Sequence, residues 1–205
     1  MQCSPVALFV YNRPQHTLQT LVALDANLLS KQTVLYIFAD GPKDGVDDEQ
    51  RTAIQKTREI IHSRAWCKQT IIQEQESNRG LASSIISGVT EVINKHGTVI
   101  VLEDDIVTNP NFLRYMNDGL RMYKDELSVA SIHGYVYPVS KKLPDYFFIR
   151  GADWWGWATW KRAWDFFEID GKKLLREIKQ RNLERLFDFN GPYPYVKMLE
   201  DQITG

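Results

Sequence analysis

Short apolar runs recur along the first half of the chain, and longer stretches with helical spacing of apolar residues separate them. The runs are too short for helices, so they predict buried strands. The four clearest predicted strands are Val6–Val10, Val34–Ala39, Thr70–Gln73 and Thr98–Leu102. Two further runs, Val129–Ile132 and Tyr146–Ile149, predict later strands.

The stretches between the strands predict amphipathic helices, because their apolar residues recur with a helical period. The first helix is expected to begin at Pro14, since proline suits the first position of a helix. The third is the clearest, and Gly97 follows it as a typical stop. The apolar positions of the four helices are, in chain order, Leu18, Leu21, Val22, Leu28 and Leu29; Ile54, Ile60 and Ile61; Leu81, Ala82, Ile85, Ile86, Val89, Val92 and Ile93; and Phe112, Leu113, Met116 and Leu120.

Strands that alternate with helices indicate right-handed β-α-β units, so the sequence predicts an α/β fold with a mainly parallel sheet. Ligands bind to such sheets beside the carboxyl ends of the strands. Polar residues follow three of the predicted strands: Asn12 with Arg13, then Asp40, then the acidic triplet at 103–105. We therefore expect these side chains to converge on one edge of the sheet.

The composition is that of an ordinary globular protein, with 43% hydrophobic and 25% charged residues among 205. A net charge of -1 provides no basic field for nucleic acid or for an anionic membrane. No apolar run approaches the ~18 residues of a membrane span, and two scattered cysteines, Cys3 and Cys67, fit a reducing compartment. We expect a cytoplasmic protein without a transmembrane segment, compatible with peripheral association at the inner face of a membrane.

The acidic triplet Glu103, Asp104 and Asp105 directly follows the most apolar strand. Neighbouring carboxylates repel one another unless a cation or a set of hydrogen-bond donors neutralises them. Mg²⁺ and Mn²⁺ prefer such oxygen ligands and often bind through one or two carboxylates together with substrate phosphates. The position after a buried strand favours an ion and nucleotide site, and a solvated acidic loop is the alternative.

The other polar strand ends each have two interpretations. Arg13 stands at a helix start, where it could meet a phosphate or only cap the helix. Asp40 could hydrogen-bond a base or ribose, or it could simply begin a turn. Asn78 and Gly80 precede the clearest helix, where capping is one role and close backbone approach to a ligand is another.

Two later regions also carry candidate chemistry. Four of the six tryptophans fall within Trp154–Trp160, interleaved with Gly156. Indole faces suit the C–H faces of sugar rings, and a small aromatic subcore is the alternative. The acidic pair Glu200–Asp201 could supply a general base, or it could be a surface feature.

Four segments together resemble the GT-A nucleotide-sugar glycosyltransferases: VALFVYNRP, YIFADGP, SNRGLASS and IVLEDDIVTNPNFLRYM. The likeness runs from about Val6 to Trp160. It is strongest toward inverting N-acetylglucosaminyltransferases of the GlcNAc-transferase I type, in which Glu-Asp-Asp stands for the DxD motif. The tryptophan–glycine run is similar to a segment of bacterial glycosyltransferases of this kind. The resemblance implies a Rossmann-like, three-layer α/β/α fold.

The resemblance also implies residue roles. Asp105 would ligate a divalent ion, Mn²⁺ or Mg²⁺, bound to the nucleotide diphosphate. Asp201, with Glu200 beside it, would be the catalytic base. The implied nucleotide-sugar contacts are Arg13, Asp40, Asn78, Gly80, Glu103 and Asp104. The residues implied to border donor sugar and acceptor are Trp155, Gly156 and Trp157.

The implied activity is metal-dependent transfer of a sugar from a nucleoside diphosphate sugar, with UDP favoured, to a hydroxyl of a glycan or glycoconjugate, with inversion. Residues 1–108 would bind the nucleotide and residues 109–205 the acceptor side of a single domain. That domain is expected to be truncated at its C-terminal end, because family members continue well past Gly205. The alternatives are a sugar nucleotidyltransferase and a non-catalytic carbohydrate-binding module.

Overall fold

The structure, a computed structural model, describes residues 3–204. Within that range a six-stranded sheet has the order β3-β2-β1-β4-β6-β5. The strands are β1 Val6–Val10, β2 Val34–Ala39, β3 Gln69–Glu74, β4 Thr98–Glu103, β5 Ser131–His133 and β6 Trp157–Trp160. The first four run parallel, and β6 is antiparallel to both of its neighbours. The predicted α/β fold with a mainly parallel sheet is confirmed.

Helices cover both faces of the sheet. The helices of the sheet-containing part of the chain are α1 Pro14–Asp25, α2 Asp48–His62, α3 Leu81–His96, α4 Phe112–Met122 and α5 Lys161–Trp164. Three further helices follow: α6 Gly171–Gln180, α7 Glu184–Phe187 and α8 Tyr195–Thr204. Successive residues of β1 point to opposite faces: Leu8 packs with α1, α2 and α4, whereas Phe9 packs with α3. The three-layer, Rossmann-like arrangement follows from this alternation.

The chain divides into two compact units. Residues 3–137 and 153–164 contain the sheet and α1 to α5, and residues 138–152 and 165–204 contain α6 to α8. In the second unit, α6 begins at a capped terminus, because Asp170 accepts hydrogen bonds from two backbone amides of the first turn. The division of roles between residues 1–108 and 109–205 concerns function, and it stays a prediction.

Several sequence-based elements need correction. The first helix ends at Asp25, and its buried side combines Leu21 and Leu24 with two threonines, so Leu18 and Val22 are exposed. The run at 146–149 forms no strand, and its four side chains are exposed. The tryptophan segment instead supplies β6. Within residues 3–204, no helix is both long and apolar enough to cross a membrane.

Candidate active site

The predicted convergence of strand ends is present at the carboxyl edge of β1 and β4. Phe9 in β1 lies opposite Glu103 in β4, so the residues that follow both strands leave the sheet side by side. Arg13 Nη1 donates a hydrogen bond of 2.9 Å to Oδ2 of Asp105 and lies 3.6 Å from Oδ1 of Asp104. A guanidinium therefore neutralises part of the charge that the acidic triplet concentrates here.

The three acids differ in their surroundings. Asp104 is 7% exposed, whereas the side chain of Asp105 is 48% exposed and can reach a ligand. Burial raises the pKa of Asp104, and Arg13 opposes that rise. Burial also raises the pKa of Glu103, and the negative charges of Asp105 and Asp104 raise it further. A cation at this position would lower the cost of keeping all three acids ionised.

The loop that carries the acids is fastened to α1 by residues that the sequence did not single out. Thr20, fully buried, donates a hydrogen bond of 2.9 Å to the carbonyl of Asp104. Asn27 accepts from the amide of Leu113 at 2.9 Å and donates to Thr108 at 3.0 Å. Thr20 lies on the inward face of α1, and Asn27 lies in the turn that follows the helix. A polar residue at an otherwise apolar position of an amphipathic helix is the signal that could have revealed Thr20, because a buried polar side chain needs a partner.

Asp40 is a clamp between two loops, which changes its predicted role. One carboxylate oxygen accepts from the amides of Gly41 and Arg79, both at 2.9 Å, and the other accepts from the amide of Gly80 at 3.1 Å. Asn78 adds a hydrogen bond of 3.0 Å to the carbonyl of Gly41. Asp40 is 7% exposed. Both of its oxygens serve the fold, so recognition of a base by this carboxylate is not favoured.

The clamp sets the start of α3. Gly80 occupies the N-cap position with φ 78° and ψ 153°, a backbone conformation essentially confined to glycine. Neither a capping side chain nor an acidic residue in the first turn occupies this terminus. The free amides and the positive end of the helix dipole are therefore left for an anion.

Two cavities adjoin this edge of the sheet. The smaller, about 240 Å³, holds all six predicted nucleotide contacts: its lining includes Arg13, Asp40, Asn78, Gly80, Glu103 and Asp104. Lys43 and Ser84, which sequence reasoning missed, also line it. The larger, about 590 Å³, is lined by Asp105 and by residues of α4, the 106–111 loop and the tryptophan segment. The consecutive residues Asp104 and Asp105 thus face different cavities.

The three residues expected beside a sugar have different positions. Trp155 is 51% exposed and lines the larger cavity. Gly156 is buried and has φ 75°. An added Cβ would lie 3.2 Å from the ring of Phe112, so the glycine allows the backbone to pack closely against that ring. Trp157 is 6% exposed and stacks on Trp164 in the α3-side core. Trp157 is therefore a core residue, which corrects the expectation that it borders the sugar.

His133 holds the start of the tryptophan segment in place. Its Nε2 lies 2.8 Å from Oγ of Ser131, and its Nδ1 lies 3.0 Å from the carbonyl oxygen of Asp153. The Asp153 carboxylate in turn accepts from the amide of Trp155 at 3.2 Å. Burial lowers the pKa of His133. A neutral imidazole therefore fixes the backbone that presents Trp155.

The predicted catalytic acids lie on α8 in the second unit. Glu200 pairs with Lys179 of α6 at 2.7 Å, and Asp201 pairs with Lys197 one turn earlier on α8. Both carboxylates are solvent-accessible and paired with a lysine. Their assignment as catalytic base stays a prediction.

A divalent ion at this edge of the sheet would need several oxygen ligands. Within residues 3–204, no group of three or more His, Cys, Asp and Glu side chains is arranged to hold a metal. Asp105 nevertheless presents an accessible carboxylate, and Mg²⁺ commonly takes one or two carboxylates with substrate phosphates and water. The residues fit an ion of this kind when a ligand brings further oxygen atoms.

Comparison with known proteins gives fold-level likeness only. No protein family matches the chain, and no curated protein does. A crystal structure of S. aureus TarS, residues 1–349, is similar over 66% of this chain and 39% of that one, at 14% identity and a TM-score of 0.40. The chain thus spans about two fifths of that TarS fragment. The crystal structure of 4-diphosphocytidyl-2C-methyl-D-erythritol synthase is similar over 82% of both chains, at 10% identity and a TM-score of 0.39.

Proposed function

We propose that the chain is a metal-dependent, inverting glycosyltransferase that moves a sugar from a nucleoside diphosphate sugar to a hydroxyl of a glycan or glycoconjugate. A UDP-sugar is the favoured donor. The observation that carries the proposal is the pairing of two unlike cavities at the carboxyl edge of the sheet. Arg13 and Lys43 line the smaller one, aromatic side chains line the larger, and Asp104 and Asp105 stand between them.

The smaller cavity suits the nucleoside diphosphate. Arg13 can form bidentate hydrogen bonds to a phosphate, and the uncapped start of α3 adds backbone donors. At about 240 Å³ the cavity lies below the ~300–1,000 Å³ of typical ligand pockets. A nucleotide sugar would therefore extend past Asp105 toward the larger cavity. A divalent ion bound at Asp105 would offset the charge that develops on the departing diphosphate.

The chemistry is a single displacement. An acceptor hydroxyl oxygen attacks the anomeric carbon from the face opposite the nucleoside diphosphate, a new C–O bond forms, and the bond from that carbon to the phosphate oxygen breaks. The hydroxyl proton passes to a carboxylate, for which Asp201 with Glu200 beside it is the candidate. The leaving diphosphate departs with the bonding electrons. One such displacement inverts the configuration at the anomeric carbon.

Two alternatives make different demands on the site. A sugar nucleotidyltransferase joins a nucleoside triphosphate to a sugar phosphate, so both of its substrate positions must accommodate phosphate. Among the described residues, the larger cavity is lined by no lysine, arginine or histidine, which disfavours that reaction. A non-catalytic carbohydrate-binding module would need only the larger cavity, and it leaves the cluster of Arg13 with the acids unexplained.

A nucleotide screen separates the three functions. UDP, GDP, CDP and dTDP would be tested by thermal shift with and without Mn²⁺, and the matching nucleotide sugars would then be incubated with neutral glycans. The proposal expects metal-dependent stabilisation by one diphosphate and a glycan heavier by one sugar. Pyrophosphate release from a nucleoside triphosphate and a sugar 1-phosphate would identify a nucleotidyltransferase. Sugar binding without any nucleotide binding would identify a binding module.

A further inference from the structure

The larger cavity also constrains the acceptor. At about 590 Å³ it falls within the ~300–1,000 Å³ range of pockets that enclose small ligands. Three of its lining side chains are exposed aromatic residues from separate parts of the chain: Tyr115 on α4, Tyr135 after β5, and Trp155 before β6. Such a convergence of aromatic side chains needs a physical reason.

Two of these aromatic residues, Tyr135 and Trp155, pack against each other and against Tyr137. The rings of Tyr135 and Trp155 have centroids 4.6 Å apart, and Tyr137 contacts both rings at 5.2 and 5.7 Å. Mutual packing restricts these side chains, while 51% of Trp155 stays exposed. An indole held at the surface in this way presents a flat apolar face, and the C–H face of a sugar ring complements it.

Polar groups on the same cavity suit hydroxyl groups. Asn109 and Asn111 contribute amides to its lining. Asn109 Oδ1 accepts a hydrogen bond of 2.9 Å from the backbone amide of Asn111, and its amide nitrogen has no partner within residues 3–204. An amide can donate to and accept from hydroxyl groups. Aromatic faces with neutral amides are the combination expected for carbohydrate.

The charge of the cavity excludes acidic acceptors. Among the described residues that line the cavity, Asp105 is the only Asp, Glu, Lys, Arg or His. Arg13, the cation in contact with Asp105, already pairs with both Asp105 and Asp104. A phosphate or carboxylate in the cavity would meet the Asp105 carboxylate, and the divalent ion proposed at Asp105 would already be neutralised by the nucleoside diphosphate, so no cation would remain to pair with it. The smaller cavity, by contrast, carries Arg13 and Lys43.

We infer that the larger cavity binds an uncharged sugar, stacked on Trp155 and Tyr135, as the acceptor, and that it rejects acceptor units bearing phosphate or carboxylate. The statement that the bound sugar is the acceptor rests on the proposed function. The binding site itself rests only on the geometry and charge of the cavity, so it can be tested without turnover.

The test uses matched sugars and the full chain. Methyl glucoside, methyl N-acetylglucosaminide, glucuronate and glucose 6-phosphate would be titrated at millimolar concentrations, with and without saturating UDP and Mn²⁺, and binding followed by saturation-transfer NMR. We expect at least one neutral sugar to bind about tenfold more tightly than both acidic ones. Equal or tighter binding of the acidic sugars, or no binding of either neutral one, would overturn the inference.

The adjacent tryptophan provides the control. Trp154 is 52% exposed, nearly the same fraction as Trp155, but it does not line the cavity. Trp155→Ala should weaken neutral-sugar binding about tenfold, and Trp154→Ala should leave it within about twofold. Equal losses in both variants would overturn the site. UDP binding, measured on the same samples, reports separately on the proposed function, because neutral-sugar binding without UDP binding would overturn that function while supporting this cavity.

Discussion

The guanidinium of Arg13 donates a hydrogen bond of 2.9 Å to Asp105 and joins the loop after β1 to the loop after β4. The pair is partly exposed, with side-chain exposures of 54% and 48%. Such a pair contributes little to stability. In the proposed function, Arg13 would contact a phosphate and Asp105 would bind the divalent ion. A metal-bound diphosphate would therefore compete for the contact between the two side chains.

Asp105→Ala should remove the metal dependence of nucleotide binding. The change deletes the proposed ion ligand and also releases Arg13 for direct contact with phosphate. We expect Mn²⁺ to strengthen UDP binding in the parent protein and to have no effect in the variant, while binding without Mn²⁺ persists. Calorimetric titration measures the UDP affinity of each protein with and without Mn²⁺. Asp125→Ala, at an exposed acid on the turn after α4, is the control. An unchanged Mn²⁺ effect in Asp105→Ala would reject the assignment.

Asp40→Asn should destabilise the loop before α3. The asparagine amide nitrogen would face backbone N–H groups where a carboxylate oxygen now accepts from them. Leaving such donors unpaired costs about 1–3 kcal/mol, so urea denaturation should show a loss of that size. Hydrogen exchange at Arg79 and Gly80 should become faster. Asp44→Asn, at an exposed turn position, should change neither the stability nor the exchange rates. Equal losses of stability in the two variants would show that Asp40 does not hold the two loops together.

His133 should make the free energy of unfolding depend on pH. Because burial lowers its pKa from the ordinary 6.5, the folded state binds fewer protons there than the unfolded chain. Its stabilising contribution is therefore present above pH 6.5 and is lost as pH falls through the lowered pKa. His133→Gln, which does not titrate, should lose less stability between about pH 7.5 and about pH 5.5.

Urea denaturation at both pH values checks the His133 prediction. His62→Gln is the control, because His62 is an exposed histidine that pairs with Glu74 at the surface. The prediction fails if His133→Gln loses as much stability on acidification as the parent protein.

Asp201→Ala should spare UDP binding and abolish sugar transfer if Asp201 is the base. The carboxylate pairs with Lys197 on the exposed side of α8. Glu200→Ala provides the neighbouring comparison, and its carboxylate is held by Lys179. Transfer rates and UDP affinities of both variants would be measured together. A retained transfer rate in Asp201→Ala would locate the base elsewhere.

Periodicity predicted the part of the fold that places the site. Short apolar runs predicted the parallel strands β1, β2 and β4, and the carboxyl ends of parallel strands share one edge, so the sequence could place Arg13 near Asp104. The apolar positions of α4, including Phe112 and Met116, are likewise buried as their spacing indicates. These features depend on local pattern and on a general rule of topology.

The remainder depends on contacts that sequence spacing does not encode. The partners of Asp40 come from a loop about forty residues away, so its clamp role was indistinguishable from base recognition. Trp155 and Trp157 look equivalent in the sequence, but Trp157 is buried within β6, where it pairs with Val101 of β4, and Trp155 precedes the strand and stays exposed. The apolar run at 146–149 is exposed and forms no strand, and hydrophobicity alone could not show that.

The most direct measurement is calorimetric titration of UDP with Mn²⁺ into two arginine variants. Arg13→Gln removes one of the two cations that line the smaller cavity, and Arg51→Gln removes an exposed arginine of α2. We predict that Arg13→Gln weakens binding by about tenfold or more, with Arg51→Gln close to the parent protein. Equal affinities in the two variants, or no UDP binding by the parent protein, would contradict a nucleotide diphosphate site at this edge of the sheet.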